Sequence, residues 1–264
     1  MTPTGKAPLI PEQRHQELLR LLRASGVLSI HDLTSALDVS HMTVRRDIAA
    51  LERTGLVVSV QGGVRLAERA GHAPPRERTT RAALEIPRKQ AIAERAASLI
   101  ADDMVVYLDA GTTCQSVVPF LAVRTGLTIV TNDLHAALAL FALPSVHIVH
   151  TGGEIDPASA AAGGPLAARA IEGINIDLCL LSAGAWDLAH GVTSHSTDKV
   201  LLKQTVLRAS GAVALLADST KWGSTERFTV TPLDRLDTVV TDTDLPDEVT
   251  ARIEEEGPEV LRAG

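Results

Sequence analysis

The sequence is short of features that would place a protein in a membrane, secreted or metal-binding class. Its 264 residues include only two cysteines, Cys114 and Cys179, which match no zinc-binding or CxxC spacing, so we expect a reduced, cytoplasmic protein. No apolar run reaches the roughly 18 residues of a membrane helix. Residues 1–11 lack the apolar stretch of a secretory signal. A membrane partner is therefore not expected.

Motifs for the common cofactors are missing as well. The chain has no GxxxxGK[ST] loop for nucleoside triphosphates and no GxGxxG turn for dinucleotides. Its nine histidines include no HExxH pair. Cys114 has no histidine near it in sequence that would activate it as a nucleophile, so we expect it to be a buried packing residue. We therefore expect no cofactor and no metal ion.

Charge is distributed unevenly along the chain, whose formal total is −7. Residues 1–90 hold 14 Lys and Arg against 9 Asp and Glu, which gives +5. Residues 91–264 hold 11 against 23, which gives −12. This asymmetry indicates a basic, polyanion-facing module joined to an acidic body, with chance variation of surface charge as the alternative. The proline- and arginine-containing stretch from Ala67 to Lys89 predicts an exposed linker over 67–88, between domains at 1–66 and 89–264.

The first 66 residues have the pattern of a winged helix-turn-helix. Two leucine-rich helices, a tight turn at 38–40, a third helix and a hairpin around 61–63 follow one another. Ser40 is placed to cap the third helix, which turns Val44, Ile48 and Leu51 inward. The helix therefore presents polar and basic side chains of its first turns to solvent, where a recognition helix contacts DNA.

The candidate DNA contacts belong to this third helix and to the wing. They are Ser40, Met42, Thr43, Arg45, Arg46 and Gln61. Arginine suits the task because its guanidinium can bond guanine or a phosphate, although a solvated pair of arginines is the alternative. We expect Asp47 to pair with an arginine or with the backbone, because a carboxylate facing phosphate would be repelled.

From Lys89 onward, apolar runs alternate with stretches long enough for helices. The runs are 104–108, 127–130, 146–149, 178–181, 212–217 and 238–240. This alternation predicts an α/β domain with a mainly parallel sheet that helices cover on both faces. Small and polar residues follow five of the runs. Since the carboxyl ends of parallel strands share one edge, these residues predict a site there for a small phosphorylated ligand.

Both halves of the chain resemble the DeoR family of bacterial transcriptional regulators. Ser40–Ile48 fits the family signature S-x-x-T-hydrophobic-R-R-D-hydrophobic, and Gly62-Gly63 fits its wing. The second half carries the family's sensor motifs DAGTT, TN, GGE, GPL and a variant of DSSK at 109–113, 131–132, 152–154, 164–166 and 218–221. The resemblance implies a winged helix-turn-helix followed by an α/β sensor domain similar in fold to ribose-5-phosphate isomerases.

The resemblance also implies roles for single residues. Gly111, Thr112 and Thr113 would cradle a phosphate, while Asp109, Asn132 and Lys221 would meet the sugar or the phosphate charge. The complete set of candidate effector-binding residues is Asp109, Gly111, Thr112, Thr113, Asn132, Gly153, Gly184, Lys203 and Lys221.

Two departures from the family pattern concern acidic residues. Trp186 and Leu201 stand where the family usually has acids, and enediol isomerisation needs a carboxylate base, so we expect no enzymatic activity. Trp186 has two alternative roles, stacking on a ligand or packing in the core.

Taken together, the residues and the resemblance predict a DNA-binding transcriptional regulator, most simply a repressor. Its affinity for double-stranded operator DNA would be controlled by a phosphorylated sugar or related metabolite, and it would act as a homodimer or homotetramer. One alternative is an enzyme similar to sugar-phosphate isomerases, fused to a helix-turn-helix. Another is a DNA-binding module fused to a body that only oligomerises.

Overall fold

The protein divides into two compact units, Met1–Ala73 and Pro74–Gly264. The computed structural model describes residues 10–53, 56–60, 62–66 and 77–264. Each unit has apolar core residues of its own.

The first unit combines three helices with a small antiparallel sheet. In chain order its elements are α1 (Pro11–Ser25), β1 (Val27–Leu28), α2 (Ile30–Leu37), α3 (His41–Arg53), β2 (Val57–Val60) and β3 (Gly63–Leu66). The strands pair antiparallel in the order β1-β3-β2. The predicted winged helix-turn-helix is confirmed, and β1 adds a third strand to the predicted hairpin.

Side-chain caps set where α2 and α3 begin. The Ser29 hydroxyl accepts a hydrogen bond from the Asp32 N–H at 3.1 Å, and the Asp32 carboxylate accepts one from the Ser29 N–H at 3.3 Å. The Ser40 hydroxyl accepts from the Thr43 N–H at 3.2 Å, which confirms the predicted cap of α3. Asp38, with φ 50°, makes the left-handed turn that separates the two helices.

The core of the first unit takes an apolar stripe from each helix. Its buried members include Leu18, Leu22, Leu33, Leu37, Val44, Ile48, Leu51, Val57 and Val64. The predicted inward face of α3 is therefore confirmed. Gly55, the predicted end of this helix, lies outside the described residues.

The described part of the predicted linker, residues 77–88, is largely helical, and most of its residues are exposed. Helix α4 spans Arg78–Ala83 and α5 spans Ile86–Ala97, so α5 begins three residues before the predicted start at Lys89. Arg78 and Lys89 are both buried. Their polar groups find partners within the second unit, and this allows these two charged side chains to be buried. The boundaries predicted for the domains stay predictions.

The second unit continues with short strands and helices in alternation. They are β4 (Val105–Leu108), α6 (Thr112–Gln115), β5 (Thr128–Thr131), α7 (Leu134–Leu140), β6 (His147–His150), β7 (Glu154–Asp156), β8 (Ala161–Gly163), α8 (Gly164–Ile171), β9 (Ile176–Ser182), β10 (Ala185–Asp187), β11 (Gly191–Ser194), α9 (Thr197–Ala209), β12 (Ser210–Leu216), β13 (Phe228–Thr231), β14 (Thr238–Asp242), α10 (Asp247–Glu255) and β15 (Glu259–Ala263).

A seven-stranded parallel sheet organises this unit. Its strand order is β15-β14-β12-β9-β4-β5-β6. The six predicted strands are confirmed, and β15 is a seventh that the sequence interpretation missed. Two small antiparallel sheets, β10-β11-β13 and β7-β8, accompany the main one.

Helices cover both faces of the parallel sheet. Neighbouring residues of β5 point to opposite faces, so Ile129 packs with Ile92 of α5, whereas Val130 belongs to the other core with Ile171 of α8. The strand order reverses between β4 and β9, because the chain runs outward from β4 to β6 and returns through β9 toward β15. Ligands of such sheets bind at the carboxyl ends of the strands beside a reversal of this kind.

Candidate DNA-binding and effector sites

Helix α3 presents its two arginines to solvent. Arg45 and Arg46 are exposed, and Met42 is 67% exposed, whereas Thr43 is half-buried. Within the described residues neither arginine forms a hydrogen bond or ion pair, so both guanidinium groups are available to a polyanion. The predicted candidate Gln61 lies outside the described residues.

Asp47 of α3 forms a salt bridge with Arg14 of α1. It is 3% exposed, and its carboxylate accepts hydrogen bonds from Arg14 Nε at 2.8 Å and from a terminal nitrogen of the same guanidinium at 3.1 Å. His15 Nε2 lies 3.1 Å from the same carboxylate. The predicted pairing of Asp47 with an arginine is confirmed, and the partner belongs to another helix. The carboxylate therefore turns inward while its neighbours Arg45 and Arg46 face out.

In the second unit, polar residues meet at the strand reversal. We call Asp109–Thr113, Ser182–Gly184, Lys203 and Lys221 the sheet-edge site. Buried Asp109 accepts hydrogen bonds from the Ser182 N–H at 2.9 Å and the Ser182 hydroxyl at 2.7 Å, and it pairs with Lys203 Nζ. Lys203 also donates to the Ser182 carbonyl at 2.9 Å. These bonds join the ends of β4 and β9 to α9.

Asn132 and Asp133, which follow β5, hold the turn after β4. Asn132 Oδ1 accepts from the Ala110 N–H at 2.9 Å, and Asn132 Nδ2 donates to the Ala162 carbonyl at 2.8 Å. Asp133 is fully buried, caps α7 with Oδ1, and accepts from the Gly111 N–H at 3.1 Å with Oδ2. Asn132 therefore uses both polar atoms of its amide on the protein itself, whereas Asp109 uses Oδ2.

The glycines of the candidate set have different surroundings. A Cβ on Gly111 would lie 2.8 Å from the Ser182 Cβ, so this position has no room for a side chain. Gly153 has φ +103°, which favours glycine, and a Cβ there would meet the Gly163 carbonyl oxygen at 2.8 Å. Gly184 lies beside the carboxylate of Glu226. These contacts explain the three glycines by packing, and a ligand contact is not needed for that.

Lys89 of α5 lies near Lys221 of the sheet-edge site. Burial lowers the pKa of Lys89 to about 8, and its charge interacts with those of Asp218 and Lys221. Lys89 Nζ donates to the carbonyls of Arg81 and Leu84. Lys221 is half-buried, and its ammonium forms no hydrogen bond or ion pair with any residue that the structure describes.

Trp186 and Cys114, which the sequence analysis considered for ligand stacking and catalysis, are both buried in the core. Trp186 has no exposed surface and packs edge-to-face on Trp222, with ring centroids 4.7 Å apart, so the packing alternative applies. Cys114 is buried as expected, and burial raises the pKa of its thiol. Among the residues with described placement, no cluster of three potential ligands could hold a metal ion, and no helix has the length and hydropathy to cross a membrane.

Comparison with known families identifies both units. The DeoR-like helix-turn-helix domain matches residues 14–70, and the DeoR C terminal sensor domain matches residues 85–243. The chain belongs to the DeoR family. Two relatives of this DeoR-family chain agree with the assignment over almost their full lengths. An uncharacterized HTH-type transcriptional regulator of Haemophilus influenzae is 37% identical over 96% of this chain and 98% of the relative. The HTH-type transcriptional repressor CsqR of Escherichia coli is 28% identical over 94% of each.

The family and its relatives make this chain a DNA-binding transcriptional regulator with a small-molecule sensor domain, rather than an isomerase. Ribose 5-phosphate isomerase A of Methanocaldococcus jannaschii is a structural neighbour with 14% identity over 51% of this chain and 53% of its own. The TM-score is 0.38.

Three residues of the second unit of this DeoR-family chain escaped the sequence interpretation because they fell in or beside the predicted linker; they are Arg78, Arg81 and Lys89. Arg78 and Arg81 are three residues apart, which is the spacing of two residues on one helix face. That spacing was the one available signal that the stretch is helical.

Proposed function

We propose that this chain represses transcription and releases its operator when a phosphorylated sugar or related anionic metabolite binds the sheet-edge site. Repression is the function named for the relative CsqR. The single observation that carries the ligand class is the position of two lysines at the carboxyl edge of the sheet: Lys203 beside the ends of β4 and β9, and Lys221 after the neighbouring strand β12.

The anion would contact three kinds of group. The N–H groups of Thr112 and Thr113 belong to the first turn of α6, where no preceding carbonyl in the helix accepts from them. The Thr112 hydroxyl and the ammonium of Lys221 add donors and charge. Asn132 would act mainly by holding the turn in shape, since its amide binds protein groups, and Asp109 would do so through Oδ2. Direct contact of either residue with the effector stays a prediction.

On the DNA side, we propose that Ser40, Met42, Thr43, Arg45 and Arg46 face the operator, with Gln61 in the wing. A homodimer or homotetramer in the cytoplasm suits this role, because two copies related by symmetry read two half-sites of one operator. Sedimentation of the full chain with and without operator duplex tests the oligomer.

The test of this function is a titration of operator DNA at fixed salt in the presence of each member of a panel of pentose and hexose phosphates. The operator is the duplex that the wild-type chain selects from random-sequence DNA. We expect at least one phosphorylated compound to weaken binding, and its unphosphorylated sugar to have no effect. A panel that neither changes operator affinity nor raises the melting temperature would favour a body that only oligomerises.

We further propose that the chain does not turn over sugar phosphates. Trp186 is buried in the core and Leu201 lies on α9 where an acid would be needed, so neither position supplies a carboxylate base. Incubation of the purified chain with aldose and ketose phosphates, followed by chromatography, should reveal no interconversion. Any turnover that disappears on heat denaturation would restore the enzymatic alternative.

A further inference from the structure

Arg78 joins the sheet-edge site to the start of the second unit. It lies at the first position of α4, which is the first described helix after the DNA-binding unit in the sequence. Its side chain is almost wholly buried, although it carries a full charge. Arginine is rarely buried without partners that compensate its lost hydration, so the groups around Arg78 define what it does.

Those partners come from three separate loops. One terminal nitrogen of the guanidinium donates to Asp133 Oδ2 at 2.7 Å and lies 3.4 Å from the Ser159 carbonyl oxygen. The other donates to Gln115 Oε1 at 2.7 Å. The backbone N–H of Arg78 donates to the Ala158 carbonyl at 3.0 Å. Helix α4 is therefore held to the loops after β4, β5 and β7 through one residue.

Two of these partners contact the turn that would bind the anion. Asp133 Oδ2, which accepts from Arg78, also accepts from the Gly111 N–H at 3.1 Å. Gln115 is the last residue of α6, whose first residue is Thr112, and its own N–H donates to the Gly111 carbonyl at 2.8 Å. Arg78 is thus connected to both ends of α6. It bonds directly to Gln115 at the C-terminal end, and the Asp133 carboxylate links it to the Gly111 N–H before the N-terminal end. Any shift of this turn changes the geometry that keeps the guanidinium buried.

We propose that Arg78 is the positioning residue that transmits occupancy of the sheet-edge site to α4, and through α4 to the DNA-binding unit. The inference rests on the proposed function, since it assumes that an anion binds this site. An anion near Thr112 competes with Asp133 and Gln115 for the same positive charge and hydrogen bonds. In the proposal, α4 has one arrangement in which these Arg78 bonds are formed and another in which they are altered. The ligand has different affinities for the two arrangements, as coupling requires.

One experiment is a cycle of operator titrations that needs no ligand. Thr112→Asp places a fixed negative charge at the site, and Thr112→Asn is its neutral control. In the wild-type background we expect the charge to weaken binding of the selected operator about fivefold or more, within the usual range of allosteric coupling. In the Arg78→Gln background the same charge should have no effect, whereas an Arg95→Gln background, in which an exposed arginine of α5 is changed, should keep the full effect. Equal weakening in all three backgrounds would overturn the inference.

Hydrogen exchange of the full chain, measured by mass spectrometry with and without inorganic phosphate, separates this inference from the proposed function. We expect phosphate to slow exchange at 111–116 in both wild type and Arg78→Gln, and to slow it at 78–83 in wild type alone. Slowing at 111–116 without any at 78–83 in wild type would overturn the inference and leave the ligand site standing. Slowing at neither place would contradict the proposed ligand site, and the operator cycle would then decide the inference. If Arg78→Gln fails to fold, Arg78→Lys keeps the charge, reaches only one of the two acceptors, and should still reduce the coupling.

Discussion

Asp47 has hydrogen-bond partners within the protein, whereas its neighbours Arg45 and Arg46 have none among the described residues. The two arginines face solvent, whereas the carboxylate is buried against Arg14 and His15. The helical period explains the difference, because Asp47 shares the inward face of α3 with Val44 and Ile48. Three consecutive charged residues therefore divide into two that can meet DNA and one that holds the helix.

Replacing Arg45 or Arg46 by Ala should weaken operator binding by about 1–3 kcal/mol, because each change removes a bond to a base or a phosphate. The residue that contacts a base should also lose discrimination at one operator position. Fluorescence anisotropy on the selected operator and on single-base variants measures both effects. Arg169→Ala, a change of an exposed arginine on α8, is the control and should bind like wild type. Normal affinity in both α3 variants would rule out α3 as the recognition helix.

Asp47→Asn should destabilise the first unit and leave the second unchanged. The substitution removes the charge that faces the Arg14 guanidinium, and hydrogen bonds to charged groups contribute about 1.5–3 kcal/mol each. Urea unfolding followed by hydrogen exchange should show the loss in residues of α1 and α3. Glu12→Gln, at an exposed position near the start of α1, should cost less. Equal stability of the two variants would mean that the Arg14–Asp47 pair contributes nothing net.

Helices α4 and α5 show where interpretation of the sequence alone reached its limit. Six of the seven strands of the parallel sheet could be predicted because each is a short apolar run, whereas Glu259 and Arg262 interrupt the apolar residues of β15. Helix α3 could be predicted because its apolar residues recur at helical spacing. Helix α4 has no buried apolar residue in its described span, and Arg78 is its only buried member. Its position depends on ion pairs with residues far away in sequence, such as Asp133, and periodicity does not report such contacts.

The place where the strand-end motifs meet could be predicted from the sequence, whereas their role in binding an effector stays a prediction. The strand-end motifs do meet at one edge, as the rule for parallel sheets requires, and Asp109 and Lys203 pair across it. The strand order, which puts β9 beside β4, depends on chain crossovers and was not inferred. The contribution of α5 through Lys89 was missed for the same reason as α4.

The lowered pKa of Lys89 predicts a pH dependence for the proposed effector site. Its pKa is lowered to about 8 by burial, so the ammonium loses its charge as pH rises through that value. If it attracts the effector, the affinity for inorganic phosphate should fall between pH 7 and pH 9.5, a range in which phosphate itself becomes more anionic. Calorimetry at constant ionic strength measures this decline. Lys89→Arg keeps its charge throughout and should remove the decline, so an unchanged profile in that variant would place the titrating group elsewhere.

Charge counted by structural unit differs from charge counted along the sequence. Division at Ala73 and Pro74 gives the first unit 9 Lys and Arg against 7 Asp and Glu, or +2, and the second unit 16 against 25, or −9. Much of the positive charge counted in residues 1–90 therefore belongs to α4 and α5 of the sensor unit. A DNA-binding unit of +2 has a weak long-range field, so its affinity for DNA must come from a few close contacts.

The salt dependence of operator binding measures how many DNA phosphates the protein contacts. The logarithm of the operator binding constant should fall linearly with the logarithm of salt concentration, with a slope of about −0.9 for each phosphate neutralised. If Arg45→Ala or Arg46→Ala removes a phosphate contact, the slope should become shallower by about one. A variant that loses a base contact should bind more weakly and keep the wild-type slope. Titration of the full chain from low to physiological salt, with Arg169→Ala as the control, makes the measurement. An affinity independent of salt would mean that α3 does not hold DNA through its phosphates, and the argument from basic residues in the first unit would then fail even if the operator is bound.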